Sequence, residues 1–146
     1  MSDVTITITR QAGYRFLIDF GPHYASLMVD EPAPLGADCG PSPEHLLAGA
    51  IANCLCASLT FACDKYHEDP GPLRARVTCH TGRNERNRIR ITGLEVQIDM
   101  GTTPGLLPHL DRALASFEDF CTVTQSVQQG IPVQVSVRGP DGAVLR

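Results

Sequence analysis

The feature that most constrains this chain is an uncharged apolar run over Leu46–Cys63. Only small polar residues interrupt it, at Asn53, Ser58 and Thr60, so no full solvent-facing side is visible at helical spacing. The run is about as long as a short membrane span. It is rich in small residues, however, and strands that alternate like those of soluble proteins flank it. The pattern therefore predicts a buried core helix and no membrane segment.

Signals for the start of this helix precede the run. Ser42 suits the N-cap, Pro43 suits the first helical position, and Glu44 places a negative charge where the helix dipole favours it. We therefore expect the helix to begin at Pro43.

Composition limits the classes of protein to which the chain can belong. A length of 146 residues with 42% hydrophobic content suits one domain over 1–146 with a real core, and a net charge of −4 gives no nucleic-acid signature. The first residues lack a basic region followed by an apolar one. Six cysteines without an export signal are typical of reduced thiols, so we expect a cytoplasmic protein with no structural disulfides.

Alternating apolar residues predict six strands around the helix and define an α+β fold with antiparallel sheets. The predicted strands are Asp3–Arg10, Tyr14–Phe20, Ser26–Asp30, Leu73–His80, Arg88–Met100 and Ile131–Val137, and the predicted shorter helices are Leu106–Phe117 and Asp119–Gln129. Six arginines from Arg74 to Arg90 give one strand pair a basic outer face, which we interpret as solvated.

Two cysteines stand where a thiol could be used chemically. Cys54 lies deep in the predicted helix, and Cys121 lies near the start of a later one, where a helix dipole favours the thiolate. Residue pattern alone leaves both as either small core residues or reactive thiols.

The segment Ser42–Cys54 resembles the helix motif of the OsmC/Ohr family of thiol peroxidases. Members of that family carry a Pro-Glu pair at the helix start and a reactive cysteine ten residues after the glutamate. The run Cys121-Thr122-Val123-Thr124 is similar to the family's second element, a Cys-Pro-Val-Ser-like sequence, with Thr122 where proline is usual. The resemblance implies antiparallel sheets wrapped around a long central buried helix in an intertwined homodimer.

The resemblance also implies a peroxidase with two catalytic cysteines. Cys54 would attack an organic hydroperoxide, and Cys121 would resolve the sulfenic acid to a disulfide. An external dithiol, in the family often a lipoyl protein, would reduce that disulfide without any metal, flavin or haem. A non-catalytic small-molecule binder and a thiol redox sensor of the same fold are the alternatives.

A buried Cys54 can be a thiolate only if a cation stabilises it. Arg10 is our first candidate, because it falls in phase with the apolar face of its strand, and Arg15 is the second. Glu44 would hold the arginine through a bidentate pair. Glu44 and Cys54 stand ten residues apart, about 15 Å along one helix, so we expect a second copy of the chain to bring them together.

Overall fold

The computed structural model describes residues 2–146 and contains two three-stranded sheets and one long helix. The strands are β1 (Thr7–Ala12), β2 (Arg15–Asp19), β3 (Leu27–Val29), β4 (Leu73–Arg83), β5 (Ile89–Met100) and β6 (Val133–Arg138), and the helices are α1 (Pro43–Asp64), α2 (Leu110–Ser116) and α3 (Thr122–Val127). The chain divides into two compact units, Met1–Leu47 and Ala48–Arg146. The α+β class is confirmed, whereas the single domain over 1–146 stays a prediction.

The first unit is an antiparallel sheet in the order β1-β2-β3. Ile8 pairs with Ile18 and Arg10 pairs with Phe16, so these four side chains share one face of the sheet. Ile18 on the central strand is buried, but β1 is exposed along its whole length. The sequence pattern had predicted a half-buried first strand. The difference arises because β1 is the edge strand of the sheet, and no strand of this unit lies beyond it.

A proline-rich loop leads from β3 to α1 and is organised by Asp30. The Asp30 side chain accepts hydrogen bonds from the backbone N–H groups of Glu31, Ala37 and Cys39 at 2.9, 3.1 and 3.2 Å. Burial alone would raise the pKa of Asp30, but these donors and the Arg15 charge hold it below its usual range. A Cβ at Gly36 would lie 2.6 Å from Asp30 Oδ1, so only glycine fits this turn.

Helix α1 is continuous from Pro43 to Asp64, as the sequence predicts. Its buried residues recur at helical spacing along one side: Ile51, Leu55, Ser58, Leu59, Ala62 and Cys63. The opposite side is exposed, with Asn53, Ala57 and Phe61 open to solvent. Among the described residues this is the one helix whose length and composition would suffice to cross a membrane, a test that core helices of soluble proteins also meet. A single chain thus buries only half of a helix that is apolar all round.

The second sheet has the order β4-β5-β6. Strands β4 and β5 are antiparallel, but β5 and β6 are parallel, so the expectation of purely antiparallel sheets is wrong. The reason is the connection, because the chain passes through α2 and α3 between β5 and β6 and can re-enter the sheet in the original direction. The inward face of this sheet is apolar and buried, with Leu94, Val96, Ile98, Met100 and Val137.

The segment between β5 and β6 is more broken than its helical spacing predicts. Short 3₁₀ turns at Pro104–Leu106 and Phe117–Phe120 flank α2, and α3 ends at Val127. Phe117 is fully buried, and the Arg146 guanidinium stacks over its ring at 5.4 Å. The C-terminal tail is thereby fixed against this segment.

Candidate functional site

The Cys54 thiol lies near enough to Cys121 to help raise the pKa of the Cys121 thiol. Cys54 comes from the middle of α1 and is half-buried, whereas Cys121 precedes α3 and is fully buried. None of the six cysteines forms a disulfide in this structure. The two cysteines singled out by their sequence context, 67 positions apart, therefore lie near each other in the fold, and both are reduced.

Cys121 is held as the N-cap of α3. The Thr124 backbone N–H donates to Cys121 Sγ at 3.4 Å, and Thr124 Oγ1 lies 2.9 Å from the same sulfur. Burial, together with the neighbouring Cys54 thiol, raises the pKa of Cys121, while the contacts from Thr124 oppose that rise. Cys121 is accordingly a neutral thiol at neutral pH, and Cys54 lies near it.

Backbone hydrogen bonds fix this geometry on both sides of Cys121. Its N–H donates to the Glu118 carbonyl at 3.0 Å, and its carbonyl accepts from the Gln125 N–H at 2.9 Å. The Gln125 side chain also donates to the Glu118 carbonyl at 3.1 Å. These hydrogen bonds connect the 3₁₀ turn before Cys121 to the helix after it and hold the Cys121 backbone in position.

Phe61 of α1 and Phe120, the residue before Cys121, form an aromatic pair. Phe61 follows Cys54 by seven residues, which is two helical turns and the same side of α1. Its ring meets the ring of Phe120, the neighbour of Cys121, edge to face at 5.1 Å, and Lys65 Nζ lies 4.6 Å from the Phe120 centroid. Both rings are partly exposed. Helical spacing could indicate Phe61, but Phe120 and Lys65 join this cluster only through the fold of the segment before α3.

Glu44 sits at the start of α1 within a small hydrogen-bonded group. The hydroxyl of buried Ser42 donates to Glu44 Oε2 at 2.7 Å and lies 2.9 Å from Nδ1 of His45. The Ser42 hydrogen bond is the main reason that the pKa of Glu44 falls below its usual value. Glu44 is therefore a carboxylate that Ser42 orients, and its negative charge can pair with a cation.

Neither candidate arginine forms an ion pair with Glu44 among residues 2–47. Arg10 is exposed, and its Nε donates to the Gly13 carbonyl at 2.9 Å across the turn after β1. Arg15 is half-buried, and its charge acts on Asp30. The roles of Arg10, Arg15 and Glu44 in a site with Cys54 stay predictions.

The other cysteines have environments typical of core or surface thiols. Burial raises the pKa values of Cys56 and Cys63, and the nearby carboxylates of Glu68 and Asp69 raise that of Cys63 further. Cys39 is exposed in the proline-rich loop. Within residues 2–146 no group of His, Cys, Asp and Glu side chains is arranged to hold a metal ion.

Comparisons with known proteins agree on one family. The family model described as OsmC-like protein matches residues 36–136. No functionally curated protein matches the chain in sequence.

Solved structures share the fold, among them three bacterial proteins. A Psychrobacter arcticus protein named for osmotic stress and detoxification response has a TM-score of 0.79 at 19% identity, covering 94% of this chain and 98% of that one. An organic hydroperoxide resistance protein OsmC from Legionella pneumophila has a TM-score of 0.73 at 14% identity, covering 94% and 98%. The organic hydroperoxide resistance protein OhrB of Bacillus subtilis has a TM-score of 0.67 at 16% identity, covering 92% and 98%.

The family match spans both motifs that carry the resemblance in the sequence, from before Ser42 to beyond Thr124. The chain therefore belongs to the OsmC-like protein family.

Proposed function

We propose that the chain is a thiol peroxidase that reduces organic hydroperoxides through Cys54 and Cys121. The Cys54 thiolate attacks the terminal peroxide oxygen and breaks the O–O bond, and the alkoxide takes up a proton and leaves as an alcohol. Cys54 is thereby oxidised to a sulfenic acid. The Cys121 thiol then displaces water from that sulfenic acid to form a disulfide. An external dithiol, such as a lipoyl group, reduces the disulfide to two thiols and is itself oxidised.

The observation that carries this proposal is that the fold brings Cys54 near Cys121, although the two residues are far apart in the sequence. A disulfide needs two sulfurs that can approach to about 2 Å, and neighbouring thiols need less movement for this than thiols on separate parts of the fold. The raised pKa of Cys121 fits the resolving role, because that thiol stays protonated while Cys54 acts as the nucleophile.

The aromatic pair supports an apolar substrate. Phe61, two helical turns from Cys54, and Phe120, the neighbour of Cys121, present exposed ring surface, and such surface favours the alkyl or aryl part of a bulky hydroperoxide over hydrogen peroxide. Two structural relatives are named organic hydroperoxide resistance proteins, which agrees with this choice of substrate class.

The proposed site is completed by a second copy of the chain. Glu44 and Cys54 are separated by about 15 Å along α1, so one arginine cannot readily serve both within one chain. An antiparallel α1 from a partner, crossing near Gly49, would place the partner's Glu44 beside Cys54 and would do so twice about a two-fold axis. The exposed side of α1 and the exposed β1 supply apolar surface for such a homodimer.

A turnover assay tests the proposal. The wild type, supplied with dihydrolipoamide, is expected to consume many equivalents of cumene hydroperoxide per Cys54 and to reduce hydrogen peroxide less efficiently. Cys54→Ser is expected to abolish reduction. Cys121→Ser is expected to permit one oxidation event, and Cys56→Ser, the matched control two residues from Cys54, is expected to retain turnover.

Consumption that stops near one equivalent in the wild type would refute a peroxidase and indicate a redox sensor. No consumption at all would indicate a binding protein that keeps the fold without the chemistry.

A further inference from the structure

The outward face of the second sheet carries a groove that the proposed peroxidase site does not use. The groove has a volume of about 590 Å³ and is lined by Arg76, Thr78, Glu95, Val96, Gln97, Gln134, Val135, Ser136 and Arg138. Apart from Val96 and Val135, its residues alternate with the inward-facing residues of β5 and β6, so their side chains project away from the apolar core. Its volume lies in the range of small-molecule sites, but its lining is polar.

Cross-strand pairing defines the arrangement of charges in the groove. Arg76 on β4 lies opposite Gln97 on β5, and Gln97 lies opposite Ser136 on β6. Arg138 is the next residue of β6 on the same face, about 7 Å along the strand from Ser136. Two arginines therefore approach from different strands over a floor that contains the small hydroxyl of Ser136.

The two arginines share this face of the sheet with two carboxylates, and Asp99 lies opposite Arg138 in the pairing of β5 with β6. Within residues 2–146 neither Arg76 nor Arg138 forms an ion pair, although two carboxylates lie on the same face. Glu95 is turned to His80, whose Nε2 lies 3.3 Å from its carboxylate, and Asp99 accepts from the Gln97 amide at 3.1 Å. Both carboxylates keep their negative charge, but neither forms an ion pair with Arg76 or Arg138.

Arg138 is held in place by the tail of the chain. Residue Val144 pairs with Arg138, and the Val137 N–H donates to the Arg146 carbonyl at 2.9 Å. Arg138 Nε is buried and has no hydrogen-bond partner in the structure described for residues 2–146. Because the Arg138 Nε–H has no partner, an anion that accepts a hydrogen bond from it would satisfy a buried donor.

We propose that this groove binds a small molecule through a phosphate group clamped between Arg76 and Arg138. Planar guanidinium groups match phosphate oxygens in pairs, and two of them balance a phosphate dianion. Ser136 and Gln134 offer neutral hydrogen-bonding groups for the rest of the ligand. A nucleic acid is a poorer occupant, because the chain has a net charge of −4 and the groove spans only three strands.

Titration of the full-length protein by amide-resolved NMR tests this site. Inorganic phosphate and glycerol 3-phosphate are added in turn at constant pH and ionic strength, with chloride as the compensating anion. Saturable shifts are expected at the backbone amides of Gln97 and Ser136, with tighter binding of the ester than of inorganic phosphate. A single-stranded oligonucleotide that binds these amides more tightly than either probe would overturn the assignment to a small ligand.

Arginine-to-glutamine variants distinguish binding by Arg76 and Arg138 from a general attraction of anions to positive charge. The double variant Arg76→Gln/Arg138→Gln is expected to weaken binding by at least about tenfold. Arg74→Gln is the matched control, since Arg74 lies on the same face of β4 but outside the groove, and it is expected to change the affinity by less than about twofold.

Shifts that never saturate in the wild type would refute the proposal, as would an equal loss of affinity in Arg74→Gln. If the double variant fails to fold, exposed Arg76→Gln alone must weaken binding by more than Arg74→Gln does.

Discussion

The substitution Ile8→Lys tests whether a second copy covers the first strand. Ile8 is central in β1, faces the same side as buried Ile18, and is itself 54% exposed. In an isolated chain a lysine is tolerated there, because its ammonium group can reach water. In the proposed homodimer the same position is covered, and the lysine must either be buried or prevent the contact.

The expected magnitude follows from the exposed fraction of Ile8. Full burial of an isoleucine side chain contributes about 1.5–3 kcal/mol, so covering the exposed half contributes about 1–1.5 kcal/mol per chain. The two-fold axis doubles this to about 2–3 kcal/mol per dimer, which corresponds to a dimer weakened about 30- to 150-fold. Burial of the ammonium group would add to the loss.

Sedimentation equilibrium measures the effect directly. The wild type is expected at twice the chain mass of 15.8 kDa at micromolar concentration, and Ile8→Lys is expected to shift toward the single-chain mass. Thr9→Lys, on the opposite face of the same strand, is the control and should leave the mass unchanged. A wild-type monomer, or an Ile8→Lys protein that dimerises as tightly as the wild type, would refute the reasoning.

Three further outcomes follow from the structure. Phe117→Ala removes a fully buried ring and should lower the free energy of unfolding in urea by about 3–5 kcal/mol, whereas Phe120→Ala, which is 39% exposed, should cost less. Thr124→Val removes the hydroxyl beside Cys121, so the pKa of that thiol should rise and its alkylation by iodoacetamide should slow, while Thr124→Ser should react like the wild type. The lowered pKa of Asp30 gives a stabilisation that is complete above the unfolded carboxylate pKa of about 3.9 and is lost as pH falls through the folded value. The thermal midpoint should therefore fall more steeply below about pH 4 in the wild type than in Asp30→Asn.

The elements with a strong local signal could be predicted from the sequence. Helix α1 begins at Pro43 because its capping residues and its apolar run are contiguous in the chain. The strands β4 and β5 alternate clearly and were placed nearly to their observed ends. The parallel direction of β6 could not be read in the same way, because strand direction depends on how the connection crosses the sheet and not on side-chain alternation.

The residues of the candidate site also fall into two groups, those that local motifs identify and those that only the fold brings into position. Local motifs identify Cys54 and Cys121, and the fold brings them near each other. The role of Arg10 depended on an inward-facing first strand, and in one chain that strand is exposed, since the burial of an edge strand is decided by what lies beside it. Thr124 and Phe120 acquire their positions from the turn around Cys121, which spacing alone does not define.

Mass spectrometry after one equivalent of cumene hydroperoxide tests the central claim most directly. The protein is oxidised without added reductant, the remaining thiols are alkylated, and the disulfide-linked peptides are identified. The account predicts one dominant bridge, between Cys54 and Cys121, with Cys56 and Cys63 recovered as alkylated thiols. A dominant bridge from Cys54 to Cys56 or Cys39, or a Cys54 that survives as a free thiol, would contradict it.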